Sequence, residues 1–136
     1  MSSDRRIIAP WPGDDQRAYL QGGIESTGTR ILWLSGTTAT QVGGAALHIG
    51  DVTAQSIAAL DKTGVALAEA GYEWHQVVRL NWYVVASHLD EFRSTANAAV
   101  TEYLAKVGCK APGVLLGVTS LAHPDMLVEF EATAVQ

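Results

Sequence analysis

The chain has 136 residues, a formal net charge of −5, one cysteine and 17% charged residues. Its length fits one compact domain. Its acidic net charge, without a run of basic residues, excludes proteins that bind nucleic acids or anionic membranes. Its single cysteine excludes a disulfide framework or a multi-cysteine zinc site. It has no apolar stretch of membrane-spanning length and no signal-peptide core, which predicts a soluble, cytoplasmic protein without a membrane partner.

The N-terminal third is predicted to contain an irregular segment, a hairpin and a loop. Residues 1–16 are expected to be irregular because Pro10, Pro12 and Gly13 lie close together, so the domain proper is expected to span residues 17–136. Two extended segments within residues 19–36 flank a Ser-Thr-Gly turn, which predicts a hairpin. Residues 37–50 are rich in glycine and threonine and are predicted to form a loop.

The remaining residues alternate helices and strands. Asp51 is a good N-cap for a helix that Gly71 ends, and residues 76–86 predict a strand because they are β-branched and aromatic. A second helix is expected from a capping box at Ser87 and Asp90 to Gly108. Strands over residues 113–121 and 126–135 complete a β-β-α-β-α-β-β order. We therefore predict a single α+β domain whose sheet carries both helices on one face.

The last strand divides its residues between two faces. Val128 and Phe130 share one face with two alanines, whereas Glu129 and Glu131 lie on the other by period-2 alternation. The apolar face is expected to carry the helices. The opposite face must then be exposed to water or covered by another subunit, and a charged fraction of 17%, below the usual value of about 25%, favours burial.

Several local sequences in this order resemble the RidA/YjgF family of small imine/enamine deaminases over residues 17–135. The matching stretches are Tyr19-Leu20-Gln21-Gly22, Leu34-Ser35-Gly36, Gly50-Asp51-Val52-Thr53-Ala54-Gln55, Val77-Val78-Arg79, Asn97, Leu121-Ala122-His123-Pro124 and Val128-Glu129-Phe130-Glu131-Ala132. No single stretch is specific, but their order and spacing together indicate membership.

The resemblance implies a chorismate mutase-like homotrimer, in which three sheets form a central barrel and a small-molecule cleft lies at each subunit interface. Such an assembly would cover the open sheet face. The resemblance implies no cofactor. The four histidines are too widely spaced to predict a metal site, and no glycine-rich run matches a nucleotide fingerprint.

The same resemblance implies the site residues. Glu129 matches the glutamate that positions the hydrolytic water, Tyr19 matches a cleft tyrosine, and Ser35 and Gly36 match a Ser-Gly pair. We expect the substrate to be bound by Ser35, Gly36, Gly113 and Leu115. Gly113 falls where the family's deaminases place an arginine that binds the substrate carboxylate. A guanidinium binds a carboxylate bidentately, so its replacement by glycine predicts that 2-aminoacrylate is not the substrate.

Three functions are compatible with this departure. The chain is expected to hydrolyse or isomerise an imine, enamine or similar reactive intermediate, with Glu129 and Tyr19 as catalytic residues. The alternatives are a non-catalytic ligand-binding or regulatory protein and a pathway-specific tailoring enzyme on the same scaffold. Glu131 is more simply a structural hydrogen-bond acceptor. Whether Arg79, Cys109 or Lys110 reaches the cleft stays open from sequence.

Overall fold

A computed structural model describes residues 4–136 of the chain. The main sheet has five strands, namely β3 (Ile31–Trp33), β4 (Thr37–Thr38), β5 (Val77–Val85), β6 (Leu115–Val118) and β7 (Val128–Val135). The strand order is β3-β7-β5-β6, and β4 also pairs with β7. Strand β6 runs parallel to β5, whereas the other pairings are antiparallel. The predicted α+β class is therefore confirmed, with a mixed sheet.

Two helices pack on one face of this sheet. The first helix, Val52–Glu69, begins at Asp51, whose carboxylate accepts a hydrogen bond from the Ala54 backbone N–H at 3.0 Å. The second, over residues 89–107, contains an α turn, a π-helical segment and the α-helix Asn97–Val107, and it ends at Gly108 in the left-handed region. No described side-chain bond caps its start at Ser87. The predicted helices are thus present, although the predicted capping box is not.

The core lies between the helices and alternate residues of β5 and β7. Val128, Phe130, Ala132 and Ala134 are buried, whereas Glu129 and Glu131 are half-buried on the opposite face. Trp82 is central to the core, since its ring makes edge-on contacts with Phe92 and Phe130 at 6.0 and 5.8 Å between centroids. The face that carries the two glutamates has no helix on it and is called the open face below.

The N-terminal region differs from the prediction. Residues 1–3 lie outside the described part of the chain. Residues 5–16 are only partly irregular, because β1 (Arg5–Ile8) pairs with β2 (Gly23–Ser26) in a separate two-stranded sheet and Asp14–Gln16 form a short 3-10 helix, whereas residues 9–13 are irregular as predicted. The predicted hairpin within residues 19–36 is wrong, because β2 pairs with β1 whereas β3 pairs with β7. Residues 37–50 are not wholly a loop, since they contain β4. No helix among residues 4–136 is long and apolar enough to cross a membrane.

Candidate functional site

A small cavity lies at the β6 edge of the sheet, beside the core. Its volume is about 50 Å³, and it is lined by Tyr19, Trp82, Gly113, Val114 and Leu115. The lining is aromatic and aliphatic and includes no charged side chain. A ligand held here would therefore be small and would contribute apolar or planar surface rather than a charged group.

The loop before β2 positions Tyr19. Asp14 is fully buried and accepts hydrogen bonds from the backbone N–H groups of Gln21 and Gly22 at 2.7 and 2.9 Å. These bonds lower the pKa of the Asp14 carboxyl, the Gln21 bond most. Tyr19 lies between Asp14 and Gln21 in the sequence, and its ring makes an edge-on contact with Trp82 at 5.2 Å between centroids. Asp14 thus fixes the loop that forms one wall of the cavity.

The opposite wall is formed by the segment that leads into β6. Leu80 N–H donates to the Pro112 carbonyl at 3.0 Å and Trp82 N–H to the Val114 carbonyl at 2.7 Å, so residues 112–114 already pair with β5. A Cβ atom built on Gly113 would overlap with the Leu80 carbonyl oxygen. Because that neighbour is backbone, it has no side-chain torsion to relieve the overlap. With this backbone geometry, residue 113 has no room for any side chain, including an arginine.

A second, open depression continues from the cavity. It is lined by Trp11, Tyr19, Leu20, Gln21 and Gly113 and has a volume of about 460 Å³. Tyr19 and Gly113 line both spaces, and neither lining includes a cationic side chain. A longer ligand could therefore extend from the cavity along this depression.

Glu129 lies on the open face, on the other side of β5 from the Tyr19–Trp82 contact. Thr38 of β4 and Tyr83 of β5 flank it in register, and a Cβ atom on Gly36 would overlap with its carboxylate. Burial, and then the charge of Glu131, raises the pKa of the Glu129 carboxyl. Its carboxylate makes no hydrogen bond within residues 4–136 and is available to a substrate or water.

The Glu131 carboxylate accepts hydrogen bonds, whereas that of Glu129 accepts none within residues 4–136. Its Oε1 atom accepts hydrogen bonds from the Tyr83 hydroxyl at 2.8 Å and from Asn81 Nδ2 at 3.1 Å. These bonds lower the pKa of Glu131, the Tyr83 bond most, and the same bond raises the pKa of Tyr83. The two glutamates on one strand face therefore differ in chemistry: Glu131 is a structural acceptor and Glu129 is an acid–base candidate.

Five of the six predicted site residues fall into two separate groups in one chain, and the sixth, Ser35, belongs to neither. Tyr19, Gly113 and Leu115 line the cavity, whereas Gly36 packs against Glu129 on the open face. Ser35 is exposed and lines neither described depression, and its carbonyl accepts a bond from Thr37 Oγ1 at 3.4 Å. A site that uses both groups would need a second chain to bring them together, and this arrangement stays a prediction.

The other polar candidates do not line the cavity. Cys109 is buried, and burial raises the pKa of its thiol to about 11. Lys110 Nζ donates to the Asp15 and Arg17 carbonyls at 2.5 and 3.1 Å. Arg79 is exposed on β5, opposite Thr133. Within residues 4–136, no three His, Cys, Asp or Glu side chains lie close enough together to hold a metal ion.

We did not identify Asn81 and Tyr83 as site residues from the sequence. A signal for both was present in β5. By period-2 alternation they lie on the face opposite Trp82, and antiparallel pairing places them opposite Glu131 and Glu129. Polar residues at these positions of an otherwise apolar strand indicate partners on the adjacent strand.

Comparisons with known proteins agree with this architecture. The protein-family model described as Endoribonuclease L-PSP matches residues 15–136. A solved structure of YyfB from Yersinia pestis, a protein of unknown function of the conserved Rid protein family, is 29% identical, with 97% of this chain and 98% of that chain covered and a TM-score of 0.82. No curated protein matches the sequence.

Two more distant structures share the fold. Rv2704 from Mycobacterium tuberculosis, a member of the YjgF/YER057c/UK114 family, is 23% identical over 98% of this chain and 100% of that chain, with a TM-score of 0.59. The YjgF gene product of E. coli is 23% identical over 79% of this chain and 82% of that chain, with a TM-score of 0.67.

Proposed function

The chain belongs to the RidA/YjgF family, whose matching model is described as Endoribonuclease L-PSP, and we propose that it hydrolyses or isomerises a small imine or enamine that carries no carboxylate. The observation that carries this proposal is the Glu129 carboxylate. It is half-buried, is free of hydrogen bonds within residues 4–136 and has a raised pKa. Such a group exchanges protons near neutral pH more readily than an ordinary surface carboxylate does.

The proposed reaction needs one water molecule and gives a carbonyl compound and ammonia. The ionised Glu129 takes a proton from water while the water oxygen attacks the carbon of the C=N bond. The nitrogen gains a proton, for which the Tyr19 hydroxyl is the proposed donor. The resulting aminoalcohol then loses ammonia as its C–N bond breaks and its hydroxyl proton returns to Tyr19, while the proton on Glu129 completes the departing ammonia. An enamine enters the same route as its imine tautomer, which forms when the β-carbon gains one proton and the nitrogen loses one.

The substrate's lack of a carboxylate follows from the cavity wall. Gly113 offers no cation, and no side chain fits at that position with this backbone. Neither Arg79 nor Lys110 lines the cavity or the adjoining depression. A substrate carboxylate would be desolvated there without a cationic partner, which is costly. The same lining and the net charge of −5 favour a small uncharged molecule over RNA.

The complete site is proposed to lie between subunits of a homotrimer. In one chain the Tyr19 cavity and Glu129 are on opposite sides of β5. The open face also carries Ile31 and Trp33, whose residues are 53% and 75% exposed. Exposed apolar residues on the open face, next to a site that one chain does not complete, support burial of the open face against a neighbouring copy of the chain.

A matched pair of imines tests this proposal. Oxidation of phenylalanine and of phenethylamine in situ gives two imines that differ by one carboxylate, and ammonia release above the spontaneous rate measures turnover. We expect acceleration of the neutral imine only, with loss of that acceleration in Glu129→Gln. The exposed Glu69→Gln on the first helix is the control and should match wild type. Acceleration that survives in Glu129→Gln would overturn the catalytic role.

A non-catalytic ligand-binding protein is the second candidate. The observation that favours it is the separation of Tyr19 from Glu129 within one chain. Titration of both imines, and of a wider panel of neutral carbonyl and cyclic imine compounds, separates the two functions. Saturable binding without turnover across the panel would favour the ligand-binding function. A tailoring enzyme would instead turn over a panel member other than a simple imine.

A further inference from the structure

Three hydrogen bonds on the open face connect the cavity wall to Glu131, which lies two residues from Glu129 on the same face of β7. The Val114 N–H group, at the cavity wall, donates to Asn81 Oδ1 at 3.3 Å. Asn81 Nδ2 donates to Glu131 Oε1 at 3.1 Å, and the Tyr83 hydroxyl donates to the same oxygen at 2.8 Å. These hydrogen bonds therefore connect the segment before β6, through β5, to β7.

The chemistry of the partners fixes the orientation of the Asn81 amide. A backbone N–H only donates and an ionised carboxylate only accepts, so the amide oxygen must face Val114 and the NH₂ group must face Glu131. Rotation of the amide by 180° would place oxygen against oxygen and N–H against N–H. Asn81 therefore bridges the two strands in one orientation only.

We propose that Asn81, Tyr83 and Glu131 form a positioning network that links the cavity wall at Val114 to Glu129 and sets the protonation state of Glu129. The proposal rests on the proposed function for the acid–base role of Glu129, but not for the existence of the network. Asn81 and Tyr83 keep Glu131 ionised, and the Glu131 charge then disfavours ionisation of Glu129. None of the three is proposed to touch the reacting atoms.

Few other groups around Glu129 could change the ionisation of its carboxyl. Glu131 on its own strand and Tyr83 on β5 are the titratable groups that act on it or respond to its charge. From the β4 side the neighbours are Thr38 and Gly36, neither of which titrates. Arg79 on β5 is in register with Thr133, further along β7 than Glu131. Glu131 is thus the charge that the network controls.

NMR titration of the glutamate carboxyl carbons tests the network without any substrate. In wild type, Glu129 should titrate at higher pH than Glu131. In Glu131→Gln the Glu129 midpoint should move to lower pH, because the like charge is gone. In Tyr83→Phe the Glu131 midpoint should rise, so that the two midpoints of the original pair move closer together. Glu69→Gln should leave both midpoints in place.

The hydrogen bond between Val114 and Asn81 is tested separately, by the backbone amide signal of Val114. In Glu131→Gln the backbone amide signal of Val114 should shift, because the Asn81 amide that holds it has lost its charged partner. Asn81→Leu should raise the Glu131 midpoint as Tyr83→Phe does, and thermal unfolding checks that this variant is folded. Should Asn81→Leu not fold, Asn81→Ala gives the same test, since it removes the hydrogen bond to Glu131 and adds no charge beside it.

The outcomes separate this proposal from the proposed function. A Glu129 midpoint that is unchanged in Glu131→Gln, or a Glu131 midpoint that is unchanged in Tyr83→Phe, would overturn the network. Midpoints that shift as stated in a protein that turns over no imine would leave the network standing and refute the catalytic function alone.

Discussion

The backbone of Gly113 packs directly against the carbonyl oxygen of Leu80, so that a Cβ atom on residue 113 would overlap with that oxygen. The contact places the segment that leads into β6 close to β5, where Leu80 and Trp82 donate to the Pro112 and Val114 carbonyls. Gly113 therefore has a structural role in addition to the absence of an arginine side chain. It lets the cavity wall approach the sheet more closely than any other residue would allow.

The first prediction follows from this contact. Gly113→Ala should destabilise the protein by about 1–3 kcal/mol, because the added methyl group meets backbone rather than a movable side chain. Gly23→Ala is the matched control, since a Cβ atom there has no neighbour within 4 Å. Urea denaturation measures both. Equal stability of Gly113→Ala and wild type would show that the segment moves freely.

The second prediction concerns assembly. Trp33→Glu should shift the mass measured by light scattering from three chains toward the 14.5 kDa of one chain, because it puts a charge on the face proposed to be buried between subunits. Val65→Glu, at a residue 70% exposed on the first helix, should keep the wild-type mass. A Trp33→Glu variant that keeps the wild-type mass would contradict the proposed interface.

The third prediction concerns the buried Asp14. Its pKa is lowered in the folded protein by the bonds from Gln21 and Gly22 and by the charges of Arg17 and Lys110. Its contribution to stability is therefore complete above the ordinary value of 3.8 and is lost as the pH falls through the lower folded value.

The stability difference between wild type and Asp14→Asn should consequently be largest near neutral pH and should shrink in acid. Thermal unfolding at several pH values measures it. The neighbouring Asp15 is exposed, so Asp15→Asn should change the melting temperature little at any pH. A difference for Asp14→Asn that does not vary with pH would refute the role of its charge.

The fourth prediction concerns Cys109. The thiol is buried and burial raises its pKa to about 11, so at pH 8 it is almost wholly protonated and unreactive. Iodoacetamide should therefore label the folded protein far more slowly than the urea-unfolded protein, as mass spectrometry can measure. Equal labelling rates would show that the thiol is accessible in the folded chain.

Much of the fold could be predicted from local patterns. Alternation along β7 identified the buried face because a strand's side chains point to opposite sides, and Asp51 and Gly108 marked helix ends because each meets a local backbone requirement. The pairing of β1 with β2 could not be predicted in this way. A short strand signals its conformation but not its partner, and Arg5–Ile8 is separated from Gly23–Ser26 by 14 residues of turn and loop.

The site was predictable to a smaller extent. The family resemblance pointed to Glu129, Gly36 and Tyr19, but the contact between Gly36 and Glu129 depends on the register of β4 with β7. The difference between Glu129 and Glu131 depends on which of them meets Asn81 and Tyr83 across the strands. The sequence already favoured Glu129 as the catalytic glutamate and Glu131 as a structural acceptor, but the partners of Glu131 and the opposite pKa shifts of the two carboxyls required the strand pairing.

Glu129 is proposed as the acid–base group, and Glu131 as the charge that sets its protonation. The pH dependence of neutral-imine turnover, corrected for the spontaneous reaction, tests these roles most directly in wild type, Glu131→Gln and the Glu69→Gln control. The rate should fall as Glu129 becomes protonated, and this fall should move to lower pH in Glu131→Gln alone. An acidic limb at the same pH in all three proteins would contradict them.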